Sequence, residues 1–287
     1  SALPDLRDAW RQCLSACPAE QQLFTFDWYD AWIRTYGARP PWTGSRSVEP
    51  GRTSLQHPSQ ARGQDEGMSA PVDLSAFARD AVPGPVLARL GAARNVLAVS
   101  HEHPDADTLG AVLGICLIVE ALGGRATAVC TDPMPPLYGF MPGIDRFRTD
   151  PDPAETYDLL VLADCASAER VGEVAARNAD LFAGLPRVIV DHHASNDGAG
   201  GADWIDPGAA ATCELVALLA VRLGLPLDLA DRALADALMA GIVMDTATFA
   251  HPNATPRTLA VSAALVAAGA PLSDISRRLY RTKPDTQ

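Results

Sequence analysis

Beyond residue 95, short apolar runs alternate with longer segments that have the length of helices. The runs at residues 96–100, 127–130, 159–163 and 187–190 have the length of buried strands, and residues 108–122 have the length and composition of a helix. Parallel strands need crossover connections, which are usually helices. The alternation therefore predicts an α/β fold, a parallel twisted sheet with helices on both faces, in which ligands bind beyond the carboxyl ends of the strands.

The residues before this pattern differ in composition. Residues 1–42 contain four of the five tryptophans, which predicts a small helical or irregular segment, and residues 24–37 weakly resemble the start of an acetyltransferase-like domain. Residues 43–71 have few apolar side chains and much Gly, Ser, Gln, Arg and Pro, the composition of a flexible linker. An apolar periodic segment at residues 74–90 predicts a helix. We therefore expect the main domain at residues 72–287.

The formal net charge of −12 limits the partners of this chain. A protein that holds long nucleic acid neutralises many phosphates with clustered Lys and Arg, so we expect no long duplex nucleic acid as a partner. An anionic substrate must therefore be bound by a few positive charges at its site, either metal ions or arginines. The longest apolar runs, residues 109–122 and 259–270, are too short to span a bilayer, and no signal-peptide pattern is found, so we expect a cytoplasmic protein without a membrane partner.

Acidic and imidazole side chains cluster just after the apolar runs. Eight of them follow such a run by one to seven positions: His101, Asp105, Asp107, Asp164, Asp191, His192, His193 and Asp245. Asp245 follows the run at residues 240–244, which we interpret as a further strand. Because neighbouring carboxylates repel one another unless a cation neutralises them, the pattern predicts a site for two metal ions at one edge of the sheet. Aspartate oxygens and histidine nitrogens without a thiolate favour Mn²⁺ or Mg²⁺ over a structural zinc ion.

Four stretches, in order, resemble the motifs of the DHH phosphoesterase superfamily. They are His101-x-x-x-Asp105-x-Asp107, the single Asp164, Asp191-His192-His193, and Asp245 within Gly-Ile-Val-Met-Asp-Thr. The surroundings most resemble the nanoRNase and phosphoadenosine-phosphate phosphatase branch, whose members are bifunctional oligoribonucleases, at Asn196, Trp204 and residues 249–256. The resemblance identifies residues 72–287 as a DHH phosphoesterase catalytic domain.

The resemblance implies two metal-binding groups that share one carboxylate. The first group is His101, Asp105 and Asp164. The second group is Asp107, Asp164, His192 and Asp245, so that Asp164 bridges the two ions. Two divalent cations are thus the implied cofactors, with Mn²⁺ preferred to Mg²⁺.

Three of these residues are implied to act in catalysis. His193 would face the substrate phosphate or the leaving oxygen, and Asp191 would orient the neighbouring imidazoles. Asp164 would hold both cations, which would share a hydroxide that attacks phosphorus.

The implied function is a metal-dependent phosphoesterase that hydrolyses short oligoribonucleotides, the 3′-phosphate of phosphoadenosine phosphate, or both. Its partner would be a small nucleotide or a short RNA, and the sequence leaves a homodimer open. A manganese-dependent inorganic pyrophosphatase and a RecJ-like exonuclease are alternatives with the same chemistry. The exonuclease would need a more basic channel for its single strand.

An alternative of another class is a catalytically weak metal-binding or nucleotide-binding module. Members of the family continue into a smaller C-terminal domain that binds the nucleotide, and residues 279–284 resemble the start of the linker to it. Because that domain is absent from this sequence, we expect metal binding with poor turnover. The likeness at residues 24–37 leaves a fused transferase as a third alternative.

Overall fold

The structure, a computed structural model, describes residues 72–165, 168–198 and 202–280. The N-terminal segment predicted at residues 1–42 and the linker predicted at residues 43–71 lie outside the described residues, which begin at residue 72. The domain boundaries drawn from composition therefore stay predictions.

Five short parallel strands form one sheet in the described part of the chain. They are β1 (Asn95–Val99), β2 (Arg125–Val129), β3 (Leu159–Ala163), β4 (Arg187–Asp191) and β5 (Ala202–Ile205). Their spatial order is β2-β1-β3-β4-β5, and every neighbouring pair is parallel. The predicted parallel α/β sheet is confirmed. β5 is missing from the prediction because its four residues alternate in burial at the edge of the sheet and give no continuous apolar run.

Nine helices accompany the sheet within the described ranges. They are α1 (Ser75–Ala81), α2 (Gly84–Ala92), α3 (Ala106–Ala121), α4 (Glu173–Arg177), α5 (Ala179–Gly184), α6 (Thr212–Arg222), α7 (Ala233–Asp245), α8 (Pro256–Ala267) and α9 (Leu272–Tyr280). No single one of these helices is long and apolar enough to cross a membrane, although α8 and α9, bent by 111° at the break between them, pass a test of length and composition as a pair.

Both faces of the sheet carry a hydrophobic core, because alternate strand residues point to opposite faces. Val96 and Ala98 of β1 belong to a large core that includes residues of α3, α6 and α7. The alternate residues of β1, Leu97 and Val99, belong to a second core with Val174 of α4 and residues of α5. The predicted covering of both faces by helices is therefore confirmed.

The predicted helix at residues 74–90 is two helices, α1 and α2. The break falls at Val82 and Pro83, where Val82 is extended at φ −80° and ψ 117°. A proline disfavours helical geometry in the residue before it, so the apolar periodicity continues through a point where the backbone does not.

The apolar run at residues 240–244 lies in α7, so the interpretation of this run as a strand is wrong. A helix that is buried on all sides gives a continuous apolar run just as a buried strand does. Residues from Leu234 to Val243 are almost all buried in α7, which has 13 residues. Asp245 therefore stands at the end of a helix and not at the end of a strand.

Two glycines allow α3, α6 and α7 to approach closely beside the predicted ligands. A Cβ atom added at Gly241 of α7 would lie 2.4 Å from Sγ of Cys213, 2.6 Å from Oδ1 of Asp107 and 2.9 Å from the Asp107 Cα. A Cβ at Gly110 of α3 would lie 2.4 Å from the Ala237 carbonyl oxygen. Neither position has room for a larger residue, because the atoms that a side chain would meet include backbone.

We expect Gly241→Ala to destabilise the protein by about 1–3 kcal/mol, because overpacking in a filled interior displaces backbone or forces strained side chains. Gly91→Ala is the matched control, since Gly91 is also helical and a Cβ there meets nothing within 4 Å. That change should leave stability equal or raise it by up to about 1 kcal/mol. Urea unfolding of both variants gives the comparison, and equal stability of the Gly241→Ala and unaltered proteins would contradict the packing described.

Candidate metal centre

The predicted ligands meet at the carboxyl ends of the strands. His101 follows β1, Asp164 follows β3, and His192 follows β4, while Asp245 ends α7 beside them. Three groups have ligand atoms within 4.8 Å of one another: His101 with Asp105 and Asp164, Asp164 with His192 and His193, and Asp107 with His192 and Asp245. All the side chains predicted from the sequence to bind metal thus belong to one cluster.

Asp164 belongs to two of these groups. Its Oδ2 lies 3.5 Å from Nε2 of His101, and its Oδ1 lies 3.5 Å from Nε2 of His192. The backbone at Asp164 has φ +56°, a left-handed conformation that is strained for a residue other than glycine. Its N–H donates to the carbonyl oxygen of Val190 on β4, which holds this conformation. The two oxygens of one carboxylate therefore face two different imidazoles.

His192 is the most informative side chain of the cluster. Its Nε2 is buried and has no hydrogen-bond partner among the described residues. It lies 3.2 Å from Oδ2 of Asp245, 3.5 Å from Oδ1 of Asp164 and 3.9 Å from Oδ2 of Asp107. A buried polar atom without a hydrogen bond is rare, and a nitrogen among three carboxylates suits a divalent cation. The donor set present therefore fits a metal site.

Burial and neighbouring charges alter the pKa values of two residues in the cluster. Burial raises the pKa of Asp107 well above its usual range, and the charges of Asp164 and Asp245 raise it further. Burial opposes ionisation of His192, but the neighbouring carboxylates of Asp245, Asp107 and Asp164 favour its charged form and raise its pKa to about 10. Without a cation the cluster thus retains protons, which metal binding would release.

Backbone amides at two helix starts hold the carboxylates of Asp105 and Asp107. Oδ1 of Asp105 caps α3 by accepting from the N–H groups of Asp107 at 2.9 Å and Thr108 at 3.1 Å. Asp107 is fully buried, and its carboxylate accepts from the N–H groups of Thr212 at 2.7 Å and Cys213 at 2.9 Å, at the start of α6. Free N–H groups and the helix dipole make a helix start a natural site for a negative charge.

The two remaining imidazoles are oriented by acceptors on one ring nitrogen. Nδ1 of His101 lies 2.7 Å from the carbonyl oxygen of Glu102, so this nitrogen carries a proton and Nε2 turns to Asp164. Nδ1 of His193 lies 2.8 Å from Oδ1 of Asp191, which also accepts from the backbone N–H of His193. This hydrogen bond raises the pKa of His193.

Asp191 and Asn196 form a buried support for His193. Asp191 is fully buried, and its Oδ2 accepts from Nδ2 of Asn196 at 2.6 Å. The side chain of His193 is 36% exposed, against 14% for His192. Asp191 contacts His193 and has no hydrogen bond to His192 in the described residues, so its orienting effect reaches one imidazole and not both.

Some residues that support the cluster have no place in the sequence motifs. The hydroxyl of Thr212 donates to Oδ1 of Asp164 at 2.9 Å. Nδ1 of His251 and Nδ2 of Asn253 both donate to the carbonyl oxygen of Asp245, at 3.0 and 3.2 Å. A threonine before an apolar helical run is a signal for a helix start, but nothing in the sequence links it to a carboxylate 48 positions earlier.

Residues 95–242 match the DHH family, N-terminal domain. This span is just over half of the 287 residues and contains the predicted site residues except Asp245. The match therefore covers the sheet from β1 to β5 and the helices that carry most of the cluster.

Two curated relatives are each named bifunctional oligoribonuclease and PAP phosphatase NrnA. The protein from Thermus thermophilus is 31% identical over 185 residues, which cover 64% of this chain and 53% of that protein. The protein from Bacillus subtilis is 27% identical over 188 residues, which cover 64% of this chain and 56% of that protein. The chain spans about half the length of the curated relatives it matches. The resemblance to this branch of the superfamily is confirmed.

A solved structure shares the fold. The crystal structure of an exopolyphosphatase-related protein from Bacteroides fragilis matches with a TM-score of 0.62 and 21% identity, over 70% of this chain and 60% of that one. At this identity the likeness shows the α/β architecture alone. The sequence match over more than half of the residues shows more, because it includes the first three of the four motifs: the chain belongs to the DHH family.

Proposed function

We propose that the chain is a metal-dependent phosphoesterase that cleaves short oligoribonucleotides or removes the 3′-phosphate of phosphoadenosine phosphate. The observation that carries the proposal is the environment of Nε2 of His192. This buried atom has no hydrogen-bond partner in the described residues and faces the carboxylates of Asp107, Asp164 and Asp245. The relatives named above support the substrate class.

Two divalent cations, Mn²⁺ in preference to Mg²⁺, would be held by two sets of side chains. The first set is His101, Asp105 and Asp164. The second set is Asp107, Asp164, His192 and Asp245. When bound, the cations supply positive charge that neutralises phosphate oxygens and lowers the pKa of an attacking water.

His193 is the residue that we assign to the substrate. Its Nδ1 is engaged by Asp191, which leaves Nε2 for a phosphate or leaving oxygen, and its ring is more exposed than that of His192. Asp191 is fully buried and anchored by Asn196, so it restricts the rotation of the His193 ring. A ring held in one orientation loses less freedom when the substrate binds.

The charge of the protein favours a small substrate. The chain carries a formal net charge of −12, which opposes the binding of long nucleic acid. Arg257, behind the start of α6, donates to Glu214 and Asp206, so its charge is balanced by two carboxylates. Phosphate recognition would therefore depend on the metal centre more than on arginine contacts.

The alternatives differ in substrate or in turnover. An inorganic pyrophosphatase or a RecJ-like exonuclease would use the same cluster on another phosphate. A catalytically weak binding module would bind cations or nucleotide with little turnover.

Calorimetric titration of the full chain with Mn²⁺ should show two bound ions. At a free Mn²⁺ concentration 100 times the dissociation constant of a site, we expect each bound ion to stabilise the fold by about 2.7 kcal/mol, which excess EDTA reverses. Asp164→Asn should weaken the binding of both ions, because Asp164 belongs to both sets of metal-binding side chains. Asp150→Asn, which alters an exposed pair with Arg177, is the matched control and should bind as the unaltered chain does. Binding of one ion or none by the unaltered chain would favour the binding-module alternative.

The adjacent histidines give a matched pair of substitutions. His192→Gln should abolish binding of one Mn²⁺, because Nε2 of His192 faces three carboxylates. His193→Gln should retain both ions and lower kcat by about 10²–10⁴, the range for loss of an acid–base group. Calorimetry and steady-state kinetics on the same preparations separate the two effects. Loss of an ion in the His193→Gln variant would make His193 a ligand and refute its assignment to the substrate.

A panel of substrates with Mn²⁺ separates the candidate functions. We expect hydrolysis of a dinucleotide and of phosphoadenosine phosphate, and none of pyrophosphate, because the curated relatives are named for the first two activities. Release of phosphate and of mononucleotide is measured side by side, with Asp164→Asn as the blank. Hydrolysis of pyrophosphate alone would favour the pyrophosphatase, and hydrolysis of none of the three substrates would favour the binding module.

A further inference from the structure

Thr212, the first residue of α6, contacts the metal cluster through its side chain. It is fully buried, and its Oγ1 lies 2.9 Å from Oδ1 of Asp164. An ionised carboxylate accepts hydrogen bonds and cannot donate one, so the threonine hydroxyl is the donor. The hydrogen bond is thus made to the carboxylate that faces both His101 and His192.

The orientation of the Asp164 carboxylate matters because its two oxygens have different neighbours. Oδ2 lies 3.5 Å from Nε2 of His101, and Oδ1 lies 3.5 Å from Nε2 of His192. The terminal torsion of an aspartate has no sharply preferred angle. A hydrogen bond to one oxygen therefore selects the carboxylate rotation at which one oxygen faces His101 and the other faces His192.

Thr212 also contacts the second group of carboxylates. Its backbone N–H donates to Oδ2 of Asp107 at 2.7 Å, while its hydroxyl donates to Asp164. One residue at one helix start therefore contacts a carboxylate from each of the two predicted metal sites.

We propose that Thr212 is a positioning residue of the metal centre, whose hydroxyl fixes the rotation of the shared carboxylate of Asp164. The inference rests on the proposed metal-dependent function. Residues that orient metal ligands typically change metal affinity by about 10- to 100-fold when altered. Thr212 acts through Asp164 and does not touch the substrate in this assignment.

The test is Mn²⁺ affinity of the full chain, measured by calorimetry, for Thr212→Val and Thr212→Ser. Valine has nearly the shape of threonine without the hydroxyl, so we expect Mn²⁺ affinity to fall by about 10- to 100-fold. Serine retains the hydroxyl and should restore most of the affinity. The melting temperature in EDTA reports folding separately from metal binding. If Thr212→Val does not fold, Thr212→Ala replaces it, and failure of both to fold would make the role structural and overturn the proposal.

Thr258→Val is the matched control. Thr258 is also fully buried and donates its hydroxyl to a buried carboxylate, that of Glu214 at 2.7 Å, but Glu214 is outside the metal cluster. This variant should lose stability in EDTA without a change in Mn²⁺ affinity. Equal affinity of Thr212→Val and the unaltered chain, when the unaltered chain binds two ions, would overturn the role of Thr212 alone. An unaltered chain that binds no Mn²⁺ would overturn the proposed function itself.

Discussion

Repulsion between carboxylates that share one small site is the constraint on which the rest of this structure depends. Asp107 and Asp164 are buried, and Asp245 is partly buried beside them. Like charges that lie close together interact strongly once water is excluded. The chain offsets part of this repulsion with the N–H groups at the start of α6, the hydroxyl of Thr212 and the imidazole of His192. Burial, and then the charges of Asp164 and Asp245, raise the pKa of Asp107, and a bound cation would act in the opposite direction.

The fold meets this constraint by bringing together chain segments that are far apart in sequence. Parallel strands present their carboxyl ends at one edge, which gathers the residues after β1, β3 and β4. The fourth segment, α7, has no strand to position it, so it relies on packing. Gly241 lets α7 lie against Asp107 without a side chain between them. Tyr280 of α9 adds a hydrogen bond to the Met244 carbonyl oxygen at 2.7 Å, next to Asp245.

The local sequence pattern is sufficient to predict the sheet and most of the metal cluster. It is insufficient where a contact joins residues that are far apart in sequence. The apolar runs of β1, β3 and β4 give both the strands and the residues that follow them, since a strand end is a local feature. The run before Asp245 was misassigned because complete burial removes the periodicity that separates a helix from a strand. Thr212 was missed for a different reason: its partners lie 48 and 105 positions away, and only the folded chain brings them together.

The same repulsion determines how an anionic substrate could bind at this site. A phosphate ester that approached the bare carboxylates would add negative charge to a cluster that already retains protons for lack of a counter-charge. Nearby basic groups offer little relief, because the charge of Arg257 is balanced by Glu214 and Asp206. In the proposed function, cation binding and substrate binding would therefore be coupled, because the cations would offset the repulsion between the carboxylates and the phosphate. Such coupling would reconcile a formal net charge of −12 with the anionic substrate that we propose.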